Sequence, residues 1–307
     1  MKKVTNLAAS IRQRLLDEAK RRGESFDYVA SLYARERFLA RLAESPHRNR
    51  LILKGATVFA LWSDIHRPTR DLDFLGNGDF DVQSAITMIR EIVSIPADDG
   101  MTFDVNSVTG VAIRETNEYR GARIHLSARL DTMRIRMQID IGLGDVVTPA
   151  ARQASLPVIL EDSSVPKVKV YPAETIVAEK LHAMVKLGIA NSRMKDFFDV
   201  WLLASTQEFD EDLLARAVRR TFDRRRTAIP EEAFALSEAF YADSQKQILW
   251  SAFLRKNGLD APADFSVVGN LLRIFLVPPL ASARDGVKPS RVWRRAAWRR
   301  MRSRPTA

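Results

Sequence analysis

The chain of 307 residues has no cysteine, which excludes disulfides and thiolate-bound zinc and suits a reducing compartment. Histidine is scarce too: four residues are too few for a histidine-rich metal centre. No uninterrupted apolar run of about 18 residues occurs, so no membrane-spanning helix is expected. The start, Met1-Lys2-Lys3-Val4-Thr5-Asn6, lacks the apolar stretch of a secretory leader. Internal repeats and low-complexity linkers are missing as well. Together these absences predict a cytoplasmic protein with no membrane partner. What is present suffices for a well-formed core, since 46% of the residues are hydrophobic.

Acidic residues are missing from Val287 to Ala307, a stretch that carries Lys288, Arg291, Arg294, Arg295, Arg299, Arg300, Arg302 and Arg304. A second basic cluster comprises Arg219, Arg220, Arg224, Arg225 and Arg226. With a formal net charge of +10, the chain favours an anionic partner. Nucleic acid is the first candidate, with RNA expected to bind through these basic clusters; solvated helix faces and an acidic protein satisfy the same charges. Trp293 and Trp298 within the basic tail add the option of docking or base stacking.

Thr69-Arg70-Asp71-Leu72-Asp73-Phe74 carries the strongest chemical signal. Side chains alternate along a strand, so Leu72 and Phe74 face a core while Asp71 and Asp73 face outward together. Their α-carbons lie roughly 6.5–7 Å apart, close enough to share a hard cation. Upstream, Leu53-Lys54-Gly55-Ala56-Thr57 is a small-residue turn with a lysine, leading from an apolar run into a helix-like stretch. The pair predicts a site for Mg²⁺ or Mn²⁺ and a nucleotide.

Around these motifs the chain divides into three parts. Residues 5–45 have helical periodicity broken at Gly23. Residues 50–150 alternate between strands and helices. Strands are expected at Arg50–Leu53, Asp71–Leu75, Ala112–Arg114, Ala122–Leu126 and Arg134–Ile141, and helices at Val58–Trp62 and Ile86–Ile95. The Arg134–Ile141 strand puts Gln138 and Asp140 on its polar face. From about Ala173 to Leu280 the pattern is helical, with breaks at Gly188, Pro230 and Gly258-Leu259-Asp260. The expected organisation is therefore an α/β core with a helical preface over residues 1–165, and a helical lobe with a basic tail over 166–307.

In the predicted helix Ala173–Leu187, Lys180 falls inside an apolar arc, whereas Glu179, His182 and Lys186 fall opposite it. A lysine in that position must snorkel, pair with a carboxylate or reach an anionic ligand. The next helix is expected to start near Asn191-Ser192 as its N-cap. On it, Asp196 lies at the edge of the apolar face, as a general base or an orienter of Lys180. Asp199 lies on the polar side with Lys195, in a structural role.

Four motifs in this order, Leu53–Thr57, Arg67–Phe74, Ala178-Glu179-Lys180-Leu181 and Ser192–Asp199, resemble the AbiEii/AbiGii family of nucleotidyltransferase toxins, which includes mycobacterial MenT-type toxins. The resemblance implies an α/β (α+β) fold with a DNA polymerase β-like nucleotidyltransferase core, a mixed sheet and an α-helical C-terminal lobe. It also implies a cytoplasmic toxin of a type IV toxin–antitoxin system, neutralised by a cognate antitoxin and linked to phage defence. The implied reaction moves a nucleotide from an NTP, CTP or UTP by the family's pyrimidine habit, to the 3′ end of tRNA. By that resemblance Asp71, Asp73 and Asp140 are the metal-binding carboxylates, and Thr69 is the hydroxyl residue before them. Lys180 faces the triphosphate, Asp196 pairs with it, and Arg193 and Lys195 offset phosphate charge. The sequence departs from the wider pattern at Gly55-Ala56, where Gly-Ser is usual. Backbone N–H groups with Lys54 or Thr57 then take over the contact of the missing serine. NMP transfer to a protein or small-molecule hydroxyl, and a non-catalytic binding module, are the alternatives.

Overall fold

The computed structural model describes residues 6–63, 68–78, 80–116, 119–294 and 296–300, and resolves two compact units. Arg67, Arg295, Arg302 and Arg304, named above, lie outside the described residues. Unit 1 comprises Met1–Leu61, Pro68–Gly144 and Arg152–Val170. It opens with helices α1 (Leu7–Arg22) and α2 (Phe26–Glu44), capped by Asn6 and Ser25, whose side chains accept from Ala9 N–H and Tyr28 N–H. Gly23 separates them at φ 67°, a left-handed C-cap that a residue with a Cβ adopts only at a cost. Strand β1 (Leu51–Lys54) leads through a 3₁₀ turn (Ala56–Leu61) to β2 (Asp71–Gly76). Helix α3 (Val82–Val93) starts from a reciprocal Asp81–Ser84 capping box. Three long strands follow: β3 (Met101–Thr116), β4 (Tyr119–Leu130) and β5 (Met133–Leu143). Strands β6 (Arg152–Ser155) and β7 (Lys167–Val170) complete the unit.

The sheet order is β3-β4-β5-β2-β1-β7-β6. It is mixed: β2 pairs parallel with β5 and β1 parallel with β7, whereas the other neighbours are antiparallel. One face is the core. Leu72, Phe74, Ile124, Ile139 and Ile141 are buried there, and Phe38 of α2 meets Phe74 and Phe103 at ring distances of 6.3 and 6.5 Å. Each such buried side chain contributes roughly 1.5–3 kcal/mol. A charged inner seam fixes α2 in place: Arg41 clamps Asp99 at 2.6 and 3.1 Å, and Arg37 donates to Ser164 Oγ and O. The strands β3 and β4 run well beyond the segments that alternation marked, and β6 and β7 fall where no strand was predicted. Unit 1 thus keeps Lys167–Val170, which the division at residue 165 put with the helical half.

Unit 2 is mainly helical. It contains α4 (Ala173–Leu187), α5 (Met194–Thr206), a short strand β8 (Phe209–Asp210), α6 (Glu211–Arg224), α7 (Glu238–Ala242), α8 (Ser244–Asn257) and α9 (Phe265–Asp285). Helix α9 is long and apolar enough, with a mean hydropathy of 1.5, to match a membrane span by length and composition alone. Its buried face of Phe265, Val268, Leu272, Phe275, Leu276 and Leu280 packs on α5, α6 and α7, as a core helix does. After it, the basic tail forms a hairpin, β9 (Arg291–Arg294) and β10 (Ala297–Arg300), which pairs with β8 through β9.

That hairpin corrects the reading of its tryptophans. Trp293 is fully buried and donates Nε1–H to Ala204 O at 2.7 Å. Trp298 stacks on Phe275 at 5.8 Å and donates to Phe275 O. Trp293 is thus committed to the core of unit 2, and half-buried Trp298 packs one face of its ring on Phe275.

His182 is a second correction. It is buried rather than outward, because α4 packs against α6 on its other side. Arg225 donates to its Nδ1, and its Nε2 meets Thr227 Oγ1, which itself donates to Arg225 O. The imidazole is therefore neutral, with its proton on Nε2. Burial, then Arg225, pushes its pKa down to about 4. A depressed histidine stabilises the fold above its unfolded value of about 6.5, and that contribution fades as pH falls through 4. Wild type should therefore lose on the order of 2–3 kcal/mol from this group between pH 7 and pH 4, and His182→Gln should lose less over the same range. Denaturant titrations at both pH values check this, and equal losses would contradict it.

Candidate active site

Strand register assembles the first cluster. In β2, Asp71 and Asp73 lie half-buried on the face opposite Leu72 and Phe74. Asp73 stands beside Asp140 of β5 and beside Lys54 of β1. Asp140 in turn stands opposite Arg123 of β4. One row across four strands therefore reads Lys54, Asp73, Asp140, Arg123. The neighbouring row carries Asp71, Gln138 and His125. Paired residues share a face, so the three predicted carboxylates lie on one polar surface of the sheet.

Gly55 closes this cluster. At φ 74° it occupies the left-handed region, and a Cβ placed there would overlap Asp73 Oδ2 and approach its Cβ and Cγ at 2.9 Å. The turn after β1 thus comes down directly on the Asp73 carboxylate, which explains a glycine after Lys54 by geometry alone. Gly55→Ala should destabilise the protein by at least about 1–2 kcal/mol and displace Asp73. A thermal melt with a parallel activity assay tests it, and a variant with wild-type melting and activity would refute the close approach. Ala56, where a serine is usual, is buried, whereas Thr57 Oγ1 is buried with no hydrogen-bond partner. Thr69 Oγ1 turns back onto Asp71 O at 3.4 Å, and Thr69 O accepts from Arg35.

The electrostatics are those of crowded carboxylates. Burial pushes the Asp71 carboxyl above its usual range, repulsion from Asp140 adds to this, and Arg123, Arg35 and His125 oppose it. Arg123 holds both Asp140 oxygens, Nε to Oδ1 at 2.8 Å and Nη2 to Oδ2 at 2.7 Å. Its guanidinium is raised by that contact and by the fields of Asp140, Asp71 and Asp73. All three carboxylates therefore act on Arg123. The sequence reading missed Arg123. Its only signal was a basic residue on the polar face of a strand whose partner was unknown.

The second cluster lies within unit 2. Lys180 Nζ of α4 is held by Asp196 Oδ1 at 2.9 Å and Asp199 Oδ2 at 2.7 Å, both carboxylates being about 1% exposed. Arg193 reaches the other Asp196 oxygen at 2.8 Å. Burial would push Asp196 up, but Lys180 and Arg193 outweigh it and hold the carboxyl below its usual value. The lysine in the apolar arc is thus resolved by pairing. Asp199 is not on an outer polar face but is the shorter of the two partners, because Asp196 and Asp199 share one side of α5 at i,i+3. Lys195 is exposed. The N-cap is Arg193 and not Asn191 or Ser192; Asn191 Oδ1 instead accepts from Arg193 N–H at 2.9 Å.

The sequence profile described as "Nucleotidyl transferase AbiEii toxin, Type IV TA system" matches residues 37–271, a span that contains both clusters. The chain belongs to this family. It is therefore an AbiEii nucleotidyltransferase, and its system implies an antitoxin partner and a nucleotide substrate. No curated protein matched the chain. Two solved structures from Helicobacter pylori are similar to it. The protein JHP933 shares 14% identity over 84% of this chain and 94% of its own, with a TM-score of 0.44. A second protein, under a nucleotidyltransferase designation, shares 15% identity over 86% and 97%, with a TM-score of 0.42.

The AbiEii chemistry raises the question of a divalent metal. Among the described residues, no three carboxylate or imidazole side chains converge as a ready-made metal cage. The donors present are nonetheless all carboxylate oxygens, on an open surface where burial and mutual repulsion disfavour charge on Asp71. A small hard cation such as Mg²⁺ is ordinarily held by one or two carboxylates, waters and substrate phosphates rather than by an all-protein cage. The donor set fits that mode of binding.

Proposed function

We propose that the chain transfers a nucleoside monophosphate from an NTP, CTP or UTP, to the 3′-hydroxyl of an RNA, with the tRNA 3′ end as acceptor. The observation that carries this reading is the register that puts Asp73 beside Asp140, with Asp71 two residues along the same face. Asp71, Asp73 and Asp140 would hold Mg²⁺ or Mn²⁺, which when bound neutralises phosphate charge and lowers the cost of forming the nucleophile. The 3′ oxygen attacks the α-phosphorus, forming one O–P bond while the α–β P–O bond breaks and pyrophosphate leaves. The hydroxyl proton is drawn toward Asp140. Lys54, the backbone at Gly55 and the unpartnered Thr57 hydroxyl would receive phosphate oxygens. Thr69 would orient Asp71 through its contact with that residue's carbonyl.

Lys180, with Asp196 as its orienter, and the Arg193 and Lys195 side chains would offset charge on the triphosphate. In the cell this would make the chain a cytoplasmic toxin that blocks translation by modifying tRNA, in a phage-defence setting, under the control of its antitoxin. In the division into a core over residues 1–165 and a helical lobe over 166–307, the core would supply the carboxylates and the first phosphate contacts and the lobe further positive charge.

Incubation with each α-labelled NTP, Mg²⁺ and total tRNA tests the reading. Label on tRNA is the expected result. Label on protein would move the acceptor to a protein hydroxyl, and no label with any NTP would overturn the proposed transfer.

A further inference from the structure

The face that carries the three carboxylates does not end with them. Read along β5 toward its start, the same-face positions after Asp140 are Gln138, Arg136 and Arg134. Their partners on β4 are His125 opposite Gln138, Ser127 opposite Arg136 and Arg129 opposite Arg134. Their partners on β3 are Thr109 opposite His125, Asp104 opposite Ser127 and Thr102 opposite Arg129. All of these except Gln138, Ser127 and Arg123 are exposed, because α2 and α3 pack on the opposite, apolar face. The face therefore presents Arg129, Arg134 and Arg136 beyond Arg123, against a single carboxylate, Asp104. Arg134 also leans on Ser127 Oγ at 3.2 Å, which orders its guanidinium.

Resting on the reading that RNA is the acceptor, we propose that this three-strand face is the track along which the RNA strand enters. Single-stranded RNA backbone, rather than an acidic protein segment, is the occupant that the chemistry favours. Beside the arginines stand the short, exposed hydroxyl residues Thr102 and Thr109, which suit phosphate and sugar contacts. The apolar centre that a protein partner needs is missing between Gln138 and Arg134. The track is also continuous with the site it serves: Arg136 lies about 7 Å along the strand from the Asp71–Gln138 row, and Arg134 about 20 Å from Asp140. That length corresponds to about six stacked phosphates of one strand. The basic clusters on α6 and on the β9–β10 hairpin are not required for this contact.

The test compares wild type with Arg129→Gln/Arg134→Gln/Arg136→Gln, and with an Arg299→Gln/Arg300→Gln control in unit 2. The probe is a fluorescent single-stranded RNA ending in a 3′-hydroxyl, titrated between about 50 and 200 mM salt. Loss of three phosphate contacts should flatten the log–log salt slope by about 2 and weaken binding at low salt, while the control stays near wild type. A triple lysine variant should retain the slope, and each single glutamine variant should remove about 0.7 of it. Unchanged RNA binding in the triple glutamine variant overturns the track while leaving the acceptor reading intact. Wild type that binds no RNA yet labels protein overturns the acceptor reading and the track with it. Polyglutamate that competes fully with RNA on wild type and is lost in the variant would assign the face to an acidic protein instead.

Discussion

Asp71→Asn and Asp73→Asn should each lower nucleotide transfer by more than about 10²–10³-fold, with melting temperatures within a few degrees of wild type. Both side chains are half-exposed on the polar sheet face, and neither contributes to the Leu72–Phe74 core. Removal of one charge also relieves the crowding that pushes Asp71 upward, so stability should hold or rise slightly. Gel analysis of labelled acceptor measures the first effect and denaturant unfolding the second. A double variant that retains full transfer would end the assignment of these carboxylates.

Lys180→Met should act in the opposite sense, on the fold first. The ammonium lies between Asp196 and Asp199, and its loss leaves two buried carboxylates with one fewer cation. Removing one member of such a buried group costs about 3–5 kcal/mol. Lys186→Met, at an exposed position of the same helix, should stay within about 0.5 kcal/mol. Urea unfolding separates the two. If Lys180→Met is as stable as wild type but inactive, the lysine is purely a ligand to substrate; equal behaviour of both variants would refute the buried pairing. An added Asp196→Asn/Asp199→Asn change should recover part of the lost stability, because it removes the stranded charges.

The contrast between these substitutions shows which parts of the molecule the sequence could disclose. Alternation is local, so β2 and β5 and the outward direction of Asp71, Asp73 and Asp140 were legible from neighbours two residues apart. Helical periodicity placed Lys180 in an apolar arc for the same reason. Register is not local. That Asp140 meets Arg123, or that Lys54 stands beside Asp73, depends on which strands pair and in what phase, and no spacing within one strand encodes it.

Burial misled in a systematic way. A wheel assumes one apolar face, whereas α4 also packs against α6, so His182 is buried although it lies opposite the apolar arc. Asp199 was misplaced by the same assumption, since a carboxylate opposite a buried lysine is stable where a lone one is not. In the tail, a run of arginines suggests a solvated helix or an anionic partner, whereas the docking option holds within the chain itself: Trp293 and Trp298 pack on Phe275 beside the β9–β10 hairpin.

The parallel pairing of β2 with β5 also sets an order of events during synthesis. Asp73 is made early, but its neighbour Asp140 arrives only after β3 and β4 have been completed and β5 has slotted between β4 and β2. A contact of such sequence separation forms late, once the loop it closes has been ordered. A ribosome that stalls before β5 therefore releases a chain with the Asp-x-Asp pair and Arg123 but without the third carboxylate that Arg123 clamps. The row of three carboxylates is thus a property of a finished sheet.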